Sequence, residues 1–294
     1  MYLIFDIGGS STKIALVDDT GTIVKKASEK AKSSLREFID MLDEKVEAAI
    51  LNYDIHGIGI SSPGTVDAIT GKVGGISALE YIHQYNFAMY LQDKYKVTVA
   101  IENDANCAAL CEIYFSKITE KNLAFFIIGS GIGGALVKDG KLLHGKSLEA
   151  GEFGYMLFKD GDNLTNLSRL ATLPNVKRII AEKYNINSNT YEILDMYFKK
   201  KEPFYKEVSK MYEYLSMGIY NVHYIFNPDL IYIGGAISQD ERFVAELKNR
   251  MKSGIFAKAN IEIRPVTYFN DNNLLGAYVN LINSLEEGRM LCIQ

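Results

Sequence analysis

Asp6-Ile7-Gly8-Gly9-Ser10-Ser11-Thr12-Lys13 follows an apolar run, Tyr2 to Phe5, and passes straight into another, Ile14-Ala15-Leu16-Val17. A turn at Gly21 and Thr22-Ile23-Val24 come next. The order is strand, glycine-rich turn, strand. It returns later in the chain: Leu123 to Ile128, then Gly129-Ser130-Gly131-Ile132-Gly133-Gly134, then Ala135-Leu136-Val137. A turn at Asp139-Gly140 leads there into Lys141-Leu142-Leu143. Glycine removes the side chain that would keep a ligand off the backbone, so exposed N–H groups can approach an anion closely. Either turn alone reads as an ordinary hairpin. As a pair they favour phosphate binding, with a polyphosphate held between two facing hairpins.

The rest of the chain alternates strands and helices. Lys32 to Leu51 has helical spacing, with Leu35, Phe38, Ile39, Leu42, Val46, Ala49 and Ile50 on one side and a Ser33 or Ser34 cap. Ile55 to Ile60 reads as a strand ending in a turn at Ser61-Ser62-Pro63-Gly64. Phe87 to Tyr95 reads as helix and Val97 to Ile101 as a buried strand, after which Glu102-Asn103-Asp104-Ala105-Asn106 opens a helix to about Phe115. An irregular segment is expected from Ser147 to Thr172. Helices follow at Pro174 to Tyr184, Tyr191 to Lys199 and Pro203 to Phe226. Asp229 to Ile233 is a strand stopping at Gly234-Gly235; a helix (Asp240 to Met251), a strand (Ile261 to Val266) and a closing helix (Asn273 to Leu285) complete the chain. This is an α/β pattern with a partly parallel sheet. The repeated hairpin predicts two similar domains with a cleft between them. We expect a first lobe over residues 1–115, joined by the closing segment 273–294, and a second over 116–272.

At 294 residues the chain has room for two medium domains with ample core. A net charge of -4 argues against a nucleic-acid binder, which carries a basic stripe. Local fields still permit anionic ligands. The cysteines Cys107, Cys111 and Cys292 are too few and too irregular for a disulfide framework, and a reducing compartment fits them better. No apolar run approaches membrane-spanning length, and Asp6 interrupts the first hydrophobic stretch, so a cytoplasmic protein without a membrane partner is expected.

Two formal motif matches are set aside. Gly129 to Gly134 satisfies G-x-G-x-x-G, but the dinucleotide reading needs a helix directly after the glycines, and a strand and turn follow instead. Gly140 to Ser147 fits G-x-x-x-x-G-K-[ST], yet its first glycine is a hairpin turn and Leu148-Glu149-Ala150-Gly151 is a poor helix start. Asp6 ends a buried strand, where an unpaired carboxylate is costly. It orders Mg²⁺-bound water or caps the turn, and a hydrogen bond with Ser10, Ser11 or Thr12 is an alternative that does not exclude these. Lys13 pairs with phosphate or is an exposed strand residue. Asp104 sits where a doubly wound sheet collects ligands. It either accepts a hydroxyl proton during attack on a phosphoryl group or, with Asn103, caps the helix. From these residues alone the cap reading leads. Glu152, in Glu149-Ala150-Gly151-Glu152-Phe153-Gly154-Tyr155, is a polyol acceptor or a solvated loop carboxylate. Gly234-Gly235 suits a flat base lying on backbone. Tyr81, Tyr85 and Phe87, near His83, are a sugar-stacking face or core. Cys107 and Cys111 lack metal-ligating neighbours in sequence and read as a half-buried helix face. H-E-x-x-H and G-x-S-x-G are absent from the sequence.

Taken in order, these motifs resemble the ROK family of sugar kinases and related repressors, within the actin/hexokinase-like (ribonuclease H-like) fold. The resemblance covers nearly the whole chain. It implies a first phosphate motif with ATP contacts at Asp6, Gly8, Gly9, Ser10, Ser11 and Lys13. It implies a second at Gly129, Ser130, Gly131, Gly133 and Gly134, and an adenosine motif, Leu230 to Gly235, with contacts at Gly234 and Gly235. Ile101-Glu102-Asn103-Asp104-Ala105-Asn106 is similar to the family's sugar-binding and catalytic segment, which makes Asp104 the implied general base and Asn103 and Glu152 implied sugar contacts. Ser62-Pro63-Gly64-Thr65-Val66-Asp67 resembles the sugar-side loop and places Gly64 near the substrate. ATP and Mg²⁺, the latter held through water by Asp6, are the implied cofactors, and a homodimer is implied.

Two departures stand out. Many members carry His where Tyr155 stands and follow it with a Cys-rich zinc loop bearing a second sugar-binding Glu. Leu157 to Leu170 contains no Cys, so zinc is not expected and that Glu has no counterpart. The run Ala150 to Met156, with Tyr155 on the substrate side, resembles the β-glucoside kinase branch. The expected activity is ATP-dependent phosphorylation of the 6-hydroxyl of a glucosyl unit, such as that of cellobiose. Glucose or N-acetylmannosamine is the rival acceptor, and a sugar-binding or regulatory protein without catalysis is the rival class.

Overall fold

A computed structural model describes residues 1–292. In chain order the elements are β1 (Tyr2–Ile7), β2 (Ser11–Val17), β3 (Ile23–Lys30), α1 (Leu35–Asn52), β4 (Gly57–Ser62), β5 (Thr65–Val66), β6 (Val73–Gly74), α2 (Phe87–Tyr95), β7 (Thr98–Asn103) and α3 (Asp104–Phe115). Next come β8 (Leu123–Ile128), β9 (Ile132–Lys138), β10 (Lys141–Leu142), β11 (Leu157–Asp160), β12 (Asn163–Asn166), α4 (Leu167–Leu170), α5 (Leu173–Tyr184), α6 (Thr190–Phe198) and α7 (Phe204–Phe226). The chain closes with β13 (Leu230–Gly234), α8 (Glu241–Met251), β14 (Ile263–Pro265) and α9 (Asn272–Glu286). It divides into two compact units. The first comprises Met1–Ile118, Gly145–Glu149 and the chain from Asn270 on; the second comprises Thr119–His144 and Ala150–Phe269.

The first unit holds a five-stranded sheet in the order β3-β2-β1-β4-β7. β1 runs antiparallel to β2 and parallel to β4, which is parallel to β7. The register sets Asp6 opposite Lys13 and Ser61, and Ser61 opposite Glu102. Four polar residues thus line up across the sheet where its parallel strands end. One face is covered by α1 and α2, whose buried Phe38, Leu42, Phe87 and Leu91 pack on Phe5, Ile58 and Ile60. The other is covered by α9, which also packs on α3. Gly276 makes that helix pair possible, since a Cβ there would stand 1.8 Å from the Cys107 carbonyl oxygen.

The second unit repeats the plan. Its sheet runs β10-β9-β8-β13-β14, with the β8–β9 hairpin antiparallel and β8, β13 and β14 parallel. The core on its helical side joins Phe126, Ile231 and Ile233 to α5, α6, α7 and α8 through Ile180, Ile193, Tyr212 and Phe243.

Several expectations are corrected. Cys107 and Cys111 are fully buried, not half-exposed, because α3 is enclosed by α9. Ile50 lies outside the buried face of α1. β3 continues to Lys30 although Lys25 to Lys30 has no apolar alternation; pairing with β2 makes it a strand, and its lysines suit a sheet edge. Ser61 and Ser62 belong to β4 rather than to the turn. The segment expected to be irregular contains the β11–β12 hairpin and α4. Among the described residues no helix is long and apolar enough to cross a membrane.

Candidate functional site

In the first unit, Asp6 is almost fully buried at the end of β1. Its Oδ1 accepts from Ser61 Oγ at 3.0 Å and Asn273 Nδ2 at 3.1 Å, and its Oδ2 accepts from Lys13 Nζ at 3.1 Å. Lys13 also donates to the Asn270 carbonyl at 3.2 Å. Of the alternatives for Asp6, the pairing with Ser10, Ser11 or Thr12 is the one set aside, because the strand register carries its side chain toward Lys13 and Ser61. Gly8 closes the turn by donating to the Ser11 carbonyl at 2.9 Å, which leaves Gly9 and Ser10 exposed at the tip.

The β7–α3 junction settles which residue is the cap. Asn103 is the N-cap: its Oδ1 accepts from the Ala105 and Asn106 amides at 2.9 and 3.2 Å. Its Nδ2 donates to the Gly64 carbonyl at 3.0 Å, tying the helix start to the β4–β5 loop. Gly64 has φ +94°, and a Cβ there would meet the Gly74 carbonyl at 2.6 Å, so glycine is required. Asp104 is left as the first helical residue, half-buried, with Oδ1 accepting from the Ala105 amide at 2.8 Å. Its pKa is raised to about 6, by burial first and the Asp6 charge second, against the lowering pull of the helix-start amides and Asn103. Near neutral pH this carboxylate is ionised yet basic enough to take a proton in a transition state.

In the second unit the β8–β9 turn is only Gly129 to Gly131, because Ile132 to Gly134 already pair in β9; Gly129 N donates to the Gly131 carbonyl at 2.8 Å. Gly129 and Ser130 are exposed, and nothing lies within 4 Å of a Cβ built at Gly129. Ser168, on α4, braces the turn by accepting from the Ile132 amide at 2.9 Å. Gly133 belongs to β9, and Gly134 is a packing glycine, its Cβ position 2.4 Å from the Gly151 carbonyl. Gly235 is also demanded by the protein itself: φ is +86° and a Cβ would lie 2.0 Å from the Ile128 carbonyl. Gly234 ends β13, with Ile127 against it.

Beside these strand ends is a cavity of about 550 Å³. Its walls come from Ile128 and Gly129, the start of α5 (Leu173, Pro174), the start of α6 (Thr190, Tyr191), and Ala236, Ile237 and Asp240. Tyr191 is 75% exposed. An apolar slot with a few polar groups, at the carboxyl ends of parallel strands, suits a planar heterocycle. Gly129, expected at the phosphates, lines this cavity, whereas Gly234 and Gly235, expected at the base, are not among its walls. Sequence reasoning missed Tyr191, Pro174 and Ile237, which lie far apart in the chain.

Glu152 and Tyr155 lie on a loop locked to the β8–β9 hairpin. Phe153 stacks on Phe126 with ring centroids 4.4 Å apart, and a Cβ at Gly154 would stand 2.0 Å from the Ile132 carbonyl. Glu152 is half-buried and Tyr155 exposed. Of the aromatic set beside His83, Phe87 is core, Tyr81 packs on Phe38, and Tyr85 is exposed. His83 itself bonds Ser77 Oγ at 2.7 Å. The P-loop match fails as expected: Gly140 is a hairpin turn and β10 follows it.

Among the described residues no group of three or more His, Cys, Asp or Glu side chains is placed to hold a metal ion. Asp6 already accepts from three protein donors. A carboxylate has about four lone-pair sites, so Asp6 keeps room for a hydrogen bond from a metal-bound water rather than for direct ligation. This fits Mg²⁺, an ion that keeps most of its waters and leans on substrate phosphates.

The ROK family profile matches residues 2–283. A β-glucoside kinase of Listeria monocytogenes serovar 1/2a is 33% identical, the match covering 97% of this chain and 98% of that one. Among solved structures, a ROK family protein from Streptococcus pneumoniae TIGR4 in complex with sucrose has a TM-score of 0.87 at 32% identity, over 97% of this chain and 99% of that one. A ROK family glucokinase from Streptomyces griseus, in complex with glucose and AMPPNP, shares the fold with a TM-score of 0.77 at 18% identity, over 94% and 97% of the two chains. The fold is the actin/hexokinase-like one, and the chain belongs to the ROK family.

Proposed function

We propose that this protein, an ATP-dependent sugar kinase, transfers the γ-phosphoryl group to the 6-hydroxyl of a glucosyl unit and prefers a β-glucoside such as cellobiose. The observation that carries the reading is Asp104: a half-buried carboxylate at a strand–helix junction, raised to about 6, beside an Asn103–Gly64 pair. Asp104 accepts the hydroxyl proton as the oxygen attacks phosphorus. Asn103, Gly64 and Glu152 hold the ring, with Tyr155 beside it.

The nucleotide's base lies in the cavity by Tyr191 and Ile237, and its phosphates contact the turn Gly129-Ser130-Gly131, whose first two residues are exposed. Gly8, Gly9, Ser10, Ser11 and Lys13 serve the transferring phosphate. Mg²⁺, held by Asp6 through water, would neutralise phosphate charge. Gly134 and Gly235 act by letting backbone pack closely, Gly234 makes room for the Ile127 side chain, and Gly133 lies on β9 beside the turn. Rate acceleration then comes from positioning and fixed dipoles more than from covalent chemistry. Three cysteines without a disulfide suit a cytoplasmic setting.

The β-glucoside preference is supported by the relative at 33% identity; the sucrose-bound relative supports only room for a disaccharide, since the glucosyl unit of sucrose is an α-glucoside. The preference is also supported by the β11–β12 hairpin, which occupies the segment where many family members carry a Cys-rich loop. The test is ADP release with Mg-ATP and a panel of cellobiose, gentiobiose, glucose, N-acetylmannosamine and N-acetylglucosamine, with ³¹P NMR locating the phosphate. Highest kcat/KM for the β-glucosides, with phosphate on the 6-oxygen, supports the reading. Free glucose far ahead of cellobiose overturns the acceptor. No turnover on any sugar overturns the kinase assignment.

A further inference from the structure

Glu102 is a buried carboxylate directly before the Asn103-Asp104 pair, and the reaction described above gives it no role. Burying a carboxylate is expensive unless hydrogen bonds repay it, and an apolar residue would fill the end of a core strand at lower cost. Its bonds account for its presence. Oε1 accepts from the Asn103 backbone amide at 2.8 Å and from Asn106 Nδ2 at 2.9 Å. Asn106, itself buried, is the third residue of α3, and its backbone amide donates to Asn103 Oδ1. The Asn103 side chain in turn donates to Gly64.

The result is a closed ring around the first turn of α3. In the usual capping box, the third helical residue reaches back to the cap's amide. Here the residue before the cap takes that amide and holds the third residue's side chain on the same oxygen. Asp104 lies inside this ring, between the cap and Asn106. The strand register adds a second fastening, because Glu102 lies opposite Ser61, whose hydroxyl donates to Asp6. The Cys107 thiol is pushed up by burial first and then by the charges of Glu102, Asp6 and Asp104.

We propose that Glu102 is a positioning residue: it clamps the first turn of α3 through the Asn103 amide and the Asn106 side chain, and so fixes where the Asp104 carboxylate meets the acceptor hydroxyl. The consequence for rate rests on the kinase reading; the clamp itself does not. A misplacement of about 1 Å at a reacting group costs about 10²-fold.

The experiment pairs steady-state kinetics with amide hydrogen exchange on Glu102→Ala and Glu102→Gln. In Glu102→Ala the Asn103 and Asn106 amides lose protection, kcat falls about 10²-fold and KM for ATP stays put. Glu102→Gln keeps a carbonyl acceptor for both amides; it retains their protection and holds kcat within about fivefold, the difference between a charge-assisted and a neutral bond. Unchanged protection in Glu102→Ala overturns the clamp. Lost protection with unchanged kcat overturns its role in catalysis, as does a Glu102→Gln enzyme as slow as the alanine variant. Should Glu102→Ala not fold, Asn106→Ala removes the side-chain arm of the ring, with faster exchange at Asn103 and lower kcat expected; a wild-type pattern overturns the proposal. If the wild type phosphorylates no sugar, the kinase reading fails, while amide exchange still decides the clamp.

Discussion

After burial, the negative charge of Asp6 is the largest influence lifting Asp104 to about 6. A raised carboxylate pKa means that Asp104 is protonated below about 6 and ionised above it, and only the ionised form can take a proton. The kcat/KM for the sugar is therefore expected to fall about tenfold per pH unit below that point. Removing the Asp6 charge with Asp6→Asn removes a raising influence, so the acidic limb moves to lower pH even as the overall rate drops. A pH–rate profile of both proteins measures this; an acidic limb that stays in place or moves upward contradicts the electrostatic link.

Gly129 and Gly235 make opposite demands on an added methyl group. Nothing lies within 4 Å of a Cβ at Gly129, whereas at Gly235 the Ile128 carbonyl is 2.0 Å away and φ is +86°. Gly129→Ala is expected to leave the melting temperature within a degree or two while raising KM for ATP about tenfold, as the methyl group meets phosphate instead of protein. Gly235→Ala is expected to lose about 3 kcal/mol of stability. Thermal unfolding and ATP titration separate the two. The account fails at this point if both substitutions act on the same quantity.

Asn103 carries two duties that substitution can split. Asn103→Ala removes the cap and costs about 1 kcal/mol. Asn103→Asp keeps an acceptor for the Ala105 and Asn106 amides but loses the amide that donates to Gly64. Stability close to wild type, with a raised sugar KM, is expected for the aspartate variant. Denaturant unfolding and sugar titration provide the check, and equal loss of stability in both variants would contradict the division of roles.

How far the sequence could be read depended on whether a feature is local. The start and end of α2 and the end of α3 were legible because periodicity and capping residues are neighbours in the chain. The strand–turn–strand device was legible for the same reason, in both copies. The row from Lys13 through Asp6 and Ser61 to Glu102 was not, since it exists only in the register of strands separated by whole helices. The cavity beside Tyr191 is likewise assembled from four separate stretches. β11 and β12 escaped because their partly exposed residues carry no apolar alternation to reveal a strand. Gly235 was assigned to a base, yet the Ile128 carbonyl explains it; a sequence does not say which neighbour a glycine makes room for.

Asp104→Asn provides the most direct test, because it keeps size and helix position while removing the base. Steady-state kinetics with cellobiose and Mg-ATP, beside the sugar's dissociation constant from titration calorimetry, separates chemistry from binding. The account predicts a kcat lower by about 10²–10⁴-fold with sugar affinity nearly unchanged. A variant that keeps most of its kcat would contradict it.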